Sequence, residues 1–278
     1  MLNFLRKWRK ARRLAAIRVP DALWTGVEKK LPFLDYLEPA DCERLRQLAR
    51  EFLAEKQFHG AHGMALTDQV MLAIALQACL PILHVGLDAY RGWVGVVVYP
   101  GDFVIPRHET DDAGVVHEYD DEVLGEAWEG GPVLVSWHRE GEGPEGVNVV
   151  IHEFAHKLDM QNGDVDGLPL LPRGMSRAAW ANVFTDAYRR FCGQVDAGEE
   201  TLLDPYGTDS PGEFFAVASE AFFETPCLLE QELPRVYEQL SRFYRLDLAA
   251  GERRVRDERR RHCGVQPRTV DGSGSGRS

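Results

Sequence analysis

No apolar run in this 278-residue chain reaches the roughly 18 residues that a bilayer-spanning helix needs. Nor is the basic start followed by an apolar stretch with a small-residue cleavage site, the pattern of a secretory signal. Both absences point to a cytoplasmic protein. Cysteine is scarce: Cys42, Cys79, Cys192, Cys227 and Cys263 are scattered, odd in number and never spaced C-x-x-C. That excludes a disulfide framework and a structural zinc knuckle, and leaves reduced core thiols. Basic charge is short as well. With 32 Lys and Arg against 44 Asp and Glu, the net charge of −12 argues against a general nucleic-acid binder, whose phosphate contacts need a basic surface. There is no internal repeat and no glycine-rich phosphate loop.

What is present is a globular composition, 44% apolar, enough for a substantial core. The one basic segment is the start. Arg6, Lys7, Arg9, Lys10, Arg12 and Arg13 interleave with Leu2, Phe4, Leu5 and Trp8, which reads as a basic amphipathic helix over residues 1–19. It could lie on an anionic membrane or mimic a transit peptide; docking on the acidic body of the same chain, or solvation, is favoured.

Residues 20–85 read as a helical part. Leu45, Leu48, Phe52 and Leu53 recur at helical spacing between Asp41 and Phe58, and a second helix runs from a Thr67 cap to Leu80, ended by Pro81. Residues 86–250 read as the catalytic part. "WVGVVVYP" (93–100) and "GPVLVSW" (131–137) are short β-branched strands, and the acid-rich stretch 109–126 between them reads as a solvated loop or hairpin. Helices follow at 147–163, at 175–193 with a Ser176 cap and Gly193 after it, at 210–226 with a Ser210 cap, and at 233–246. An arginine-rich, disordered tail is expected over 251–278, and "QFHGAHGM" (57–64), with His59 and His62, is expected to be loop.

The chemistry lies in "IHEFAHKLD" (151–159). Residues four apart stack on one helix face, so His152 and His156 can reach one ion, and Glu153 projects toward it from a neighbouring angle. In that position Glu153 can accept a proton from an activated water and pass it to a leaving group. Surface histidines on an ordinary helix are the bland alternative. Val149, Val150, Ile151, Phe154, Ala155 and Leu158 weaken it, because they leave little polar face, and buried imidazoles need partners.

Two ligands are not enough. A histidine six residues beyond His156 would mark one zincin branch, but that position is Asn162, and the glycine expected at 159 is Asp159. The helix after Ser210 instead presents Glu213, Glu220 and Glu224 on one stripe. Either Glu213 or Glu220 could complete a His2Glu site, and Glu213 could equally be the glutamate of a capping box opened by Ser210. Asp159, on the face of the two histidines, could orient an imidazole, and Glu220 could do the same.

"VVIHEFAHKLD" together with "DPYGTDSPGEFFAVASEAFFE" (204–224) resembles the Mlc titration factor A family, bacterial glucose-regulated zinc metallopeptidases distantly similar to the catalytic domain of anthrax lethal factor. The likeness extends to "LTDQVMLAIALQACL" and "VVVYP", and so covers most of residues 20–250. It implies a helix-rich α+β, zincin-like fold with a small mixed sheet beside the active-site helix, and one Zn2+ per chain. It assigns the metal to His152, His156 and Glu213, and a catalytic tyrosine to Tyr206, whose phenol could support an oxyanion. Small-peptide, aminopeptidase-like hydrolysis is the implied reaction, with substrate laid along an edge strand expected to be "GPVLVSW". The resemblance also implies a regulatory partner, an Mlc-like transcriptional repressor. A repressor-sequestering protein whose hydrolysis is secondary, or a non-peptide metallohydrolase, are the competing readings.

Overall fold

The computed structural model of the chain describes residues 17–110, 116–138 and 146–262. The basic segment expected over 1–19 therefore lies largely outside the described residues, as do 263–278 of the expected tail. Helices dominate, and a small mixed sheet lies beside the helix that carries the two histidines.

The N-terminal helices are α1 (Asp21–Glu28), α2 (Pro39–Glu55) and α3 (Asp68–Cys79). Helix α2 begins two residues earlier than its Asp41 suggests, because Pro39 at the first turn has its φ already set for helix. The chain then leaves helix at Lys56, so Phe58 and His59 fall in strand β1 (Gln57–Gly60), not in a helix end or a loop. Thr67 caps α3 as its sequence requires, its hydroxyl accepting from the Val70 amide.

Strands β2 (Gly95–Tyr99), β5 (Gly125–Ala127) and β6 (Val133–Ser136) join β1 in one sheet of order β1-β2-β6-β5. The first three are parallel and β5 runs antiparallel to β6. This corrects the expectation that "GPVLVSW" is the edge. All four residues of β6 are buried, as befits a strand paired on both sides and covered on both faces; the edges are β1 and β5, and β5 is the one against the histidine helix. Strands β3 (Phe103–Thr110) and β4 (Val116–Val123) pair separately as an antiparallel ladder, the hairpin alternative of the acid-rich stretch.

The C-terminal half is α4 (Val149–Asp159), α5 (Arg177–Asp196), α6 (Pro211–Glu224), α7 (Pro226–Glu232), α8 (Pro234–Tyr244) and α9 (Leu248–His262). Helix α5 runs through Gly193, because buried Phe191 and half-buried Val195 continue its core-facing stripe. The arginine-rich stretch is not a disordered tail as far as His262. It forms α9, in which Arg254 donates to the carbonyls of Tyr36 (3.2 Å) and Leu37 (3.0 Å) and Arg259 pairs with Asp35 at 3.2 Å. Gly251 lies so close to the Tyr36 carbonyl that no side chain would fit.

The core centres on the back of α4. Phe154 packs against Phe52, Tyr90 and Trp93, with ring centroids 5.1 to 5.8 Å away. Burying four aromatic rings in edge-to-face and tilted contact holds the helix by its apolar side. Its histidine face is turned toward α6.

Candidate metal centre

Asn148, immediately before α4, caps it by accepting from the Ile151 amide at 3.0 Å. The α-helical turn then stacks His152 over His156, 7% and 6% exposed. Their Nε2 atoms stand 3.1 Å apart, and Glu213 Oε2 lies 2.9 Å from the first and 3.2 Å from the second. Glu213 is the third residue of α6, and its amide donates to Ser210 Oγ at 3.1 Å. The cap is therefore real, but the Glu213 carboxylate is directed at the two imidazoles instead of its own helix end.

These spacings suit a cation. If both imidazoles donate to Glu213, two N–H donors face each other with their nitrogens 3.1 Å apart, whereas a cation would take a lone pair from all three atoms. The separations are close to the edge of about 3.3 Å that tetrahedral ligands at 2.0 to 2.1 Å from a zinc ion would show. Electrostatics points the same way. Burial alone would lower the His152 pKa, yet the hydrogen bonds to Glu213 and Glu220 carry it well above its ordinary value. Burial would raise the Glu213 carboxyl, yet the two imidazoles hold it far below the usual carboxylate range. The cluster calls for positive charge. Among the described residues, His152, His156 and Glu213 form the one group of three able to hold a metal ion.

Glu220 lies behind His152. His152 Nδ1 donates to Glu220 Oε1 at 2.7 Å, and the Asn148 amide donates to Glu220 Oε2 at 2.6 Å. With its proton committed to Nδ1, His152 presents a lone pair at Nε2. Glu220 is thus turned away from the donor cluster. Asn148 extends the chain through its side-chain amide to Gln77 (2.9 Å) and Glu224 (2.8 Å). Its role was legible in principle, as an asparagine standing before an apolar helical run.

Glu153 is 4% exposed, beside the cluster and against Gly125 of the edge strand. Burial above all pushes its carboxyl up to about 8; His152 opposes the shift, and Glu213, Glu126 and Glu220 add to it. Tyr206 sits in the single turn Pro205–Thr208, which Asp204 Oδ1 closes by accepting the Tyr206 amide at 2.9 Å. Gly207 is wedged against Val217 and Phe191, fixing that turn to α6 and α5. The tyrosine ring stands 6.0 Å from that of His152 and is 52% exposed, at the mouth of the site. Asp159 is fully buried, and it makes no direct hydrogen bond to His156, whose Nδ1 is buried without a partner among the described residues. Asp159 Oδ2 accepts the Gly167 amide at 2.7 Å, tying down the loop that follows α4.

His152, Glu153, His156, Tyr206 and Glu213 all open on one cleft of about 450 Å³, walled by Val147, Val149, Val165 and Val217 and bordered by residues 124–127. Sequence reasoning missed the edge strand, because Gly125 falls within a stretch dominated by acidic residues and carries no β signal of its own. His59 and His62 are not part of this cluster.

A family model described as glucose-regulated metallo-peptidase M90 matches residues 5–245. The chain is 36% identical to Mlc titration factor A of Klebsiella pneumoniae strain 342 over 222 residues, 78% of this chain and 83% of that one. It is 36% identical to Mlc titration factor A of Serratia proteamaculans over 233 residues, 82% and 88% of the two chains. An uncharacterized protein of Synechocystis, slr2042, is 35% identical over 223 residues, 78% and 81% of the two chains.

Proposed function

Because the chain belongs to the glucose-regulated metallo-peptidase M90 family, we propose that it is a zinc-dependent peptidase with a zincin-like site, acting on small peptides in an aminopeptidase-like way. The observation that carries this is the convergence of His152 Nε2, His156 Nε2 and Glu213 Oε2 within 2.9 to 3.2 Å of one another. One zinc ion per chain suits this nitrogen-rich set with one carboxylate and a position left open to the cleft. When bound, the ion supplies Lewis-acid polarisation of a carbonyl and brings the pKa of a coordinated water down toward about 7.

The chain's own residues do the rest. The peptide pairs with the edge strand Gly125–Ala127 by β-augmentation, which presents its scissile bond to the cleft. Glu153 takes the proton from the attacking water and returns it to the leaving amine. Its low exposure keeps the carboxylate poorly solvated and therefore basic. Tyr206 donates its phenol hydrogen to the oxygen on which negative charge develops. Glu220 keeps His152 in the tautomer that binds metal, and Asp159 holds the loop between α4 and α5. A cytoplasmic setting agrees with the four free cysteines among the described residues and with the lack of any membrane-crossing helix there.

Metal analysis together with a chromogenic peptide assay tests the reading. Glu153→Gln keeps its zinc and loses turnover, whereas Glu213→Ala loses both; full zinc and activity in Glu213→Ala would remove the third ligand from the site. A second reading rests on the relatives named Mlc titration factor A, and makes this chain a binder of an Mlc-like transcriptional repressor. Glu153→Gln separates the two roles, since it leaves repressor capture intact. Equal loss of hydrolysis and capture would undo that separation.

A further inference from the structure

Gly125, in edge strand β5, pairs with Val135 of β6. Its backbone is not in the left-handed region, so conformation alone does not call for glycine. Space does. A Cβ built there would stand 2.5 Å from Glu153 Oε1, 2.6 Å from its Cγ and 2.8 Å from its Cδ, against the roughly 3.5 Å or more of ordinary carbon contacts.

Neither backbone can retreat. Strand β5 is locked to β6 by its ladder, and the turn after it is held by Lys157 Nζ, which donates to the Trp128 carbonyl and, at 3.1 Å, to that of Gly131. Helix α4 is held from behind by Phe154, 0% exposed in the aromatic cluster. The part left to move is the Glu153 side chain from its Cγ outward. Rotating it about its Cα–Cβ bond leaves the backbone undisturbed, but it takes the carboxylate away from the water it must deprotonate.

We propose that Gly125 is a positioning residue: the side chain missing from the edge strand is the clearance in which the Glu153 carboxylate sits, between the bound peptide's strand and the metal donors. This rests on the reading of Glu153 as the proton-transfer group. A strand that carried any side chain at 125 would still pair with substrate, yet would displace the base.

The test is Gly125→Ala in the full chain, with zinc content, melting temperature and steady-state kinetics measured together. One zinc per chain, a melting temperature within about 2 °C of wild type and a KM within about threefold are expected, with kcat lower by about 100-fold, the scale of an ångström's misplacement of a reacting group. In the Glu153→Ala background, where no Cγ remains in the contested space, adding Gly125→Ala costs less than about threefold of the remaining turnover. Wild-type kcat in the single variant overturns the proposal. So does loss of zinc or of melting temperature in step with activity, or a full multiplicative loss in the double variant. Retained turnover in Glu153→Gln would instead overturn the role of Glu153 itself, whatever Gly125→Ala does.

Discussion

Glu220 accepts the Nδ1 proton of His152 across 2.7 Å and, through its other oxygen, the backbone amide of Asn148 at 2.6 Å. One carboxylate thereby ties the start of the histidine helix to the tautomer of its first histidine.

Removing that carboxylate weakens the metal site without removing a donor. Glu220→Ala is expected to lower zinc affinity by about 10- to 100-fold, the usual effect of losing the partner behind a ligating histidine. Competition with a coloured chelator measures it. Wild-type affinity in the variant would mean that α4 packing alone orients the ring.

Tyr206 reaches the mouth of the cleft but is not among the metal donors, so Tyr206→Phe should separate chemistry from binding. Zinc content and KM stay close to wild type, and kcat falls by about 100-fold if the phenol is an oxyanion donor. A KM effect alone would make the ring a packing surface for substrate.

Metal removal should be felt in stability as well as activity, because the convergent donors are preformed only in the folded chain. At free zinc about 100-fold above its Kd, linkage adds about 2.7 kcal/mol, which for a chain of this size raises the melting temperature by roughly 5 to 10 °C. Calorimetry with and without chelator reads this. The idea fails if His156→Ala gains as much from zinc as wild type does.

Lys56, 7% exposed, donates to the carbonyls of Tyr90 (2.6 Å) and Trp93 (2.8 Å), and burial lowers its pKa from 10.5 to about 8. Between those values the unfolded chain holds a proton that the folded chain has shed, so stability rises with pH across the window. Below it both states are charged, above it both are neutral, and no further change comes from this group. The slope approaches about 1.4 kcal/mol per pH unit at most. Urea titrations of wild type and Lys56→Met from pH 7 to 10 should show the wild type gaining on the variant; a constant difference would place the lysine pKa near its ordinary value.

The legible parts of the site were those written in local periodicity. His152, Glu153 and His156 could be read because a helical turn brings residues four apart together, and Thr67, Ser176 and Ser210 because capping is a contact over three residues. What failed to show was long-range. Nothing in "GPVLVSW" says that a three-residue strand from the acid-rich stretch pairs on its outer side, so in sequence the interior strand looks like the edge. The arginines of 253–261 read as a solvated tail, because the carbonyls of Tyr36 and Leu37 that receive Arg254 lie more than two hundred residues upstream.

By itself, then, the sequence determined the chemical inventory, two imidazoles and a carboxylate on one amphipathic helix, since α-helical geometry is local and repeats every few residues. Helical spacing alone leaves Glu213 and Glu220 equal; the family resemblance favours Glu213, and only the tertiary structure gives the physical reason. Both lie on one face of α6, and it is the way α6 packs across α4 that sends Glu213 to the Nε2 side of His152 and Glu220 to its Nδ1 side. That packing is set by apolar surfaces distant in the chain, and it turns two similar glutamates into a candidate ligand and the group that orients one.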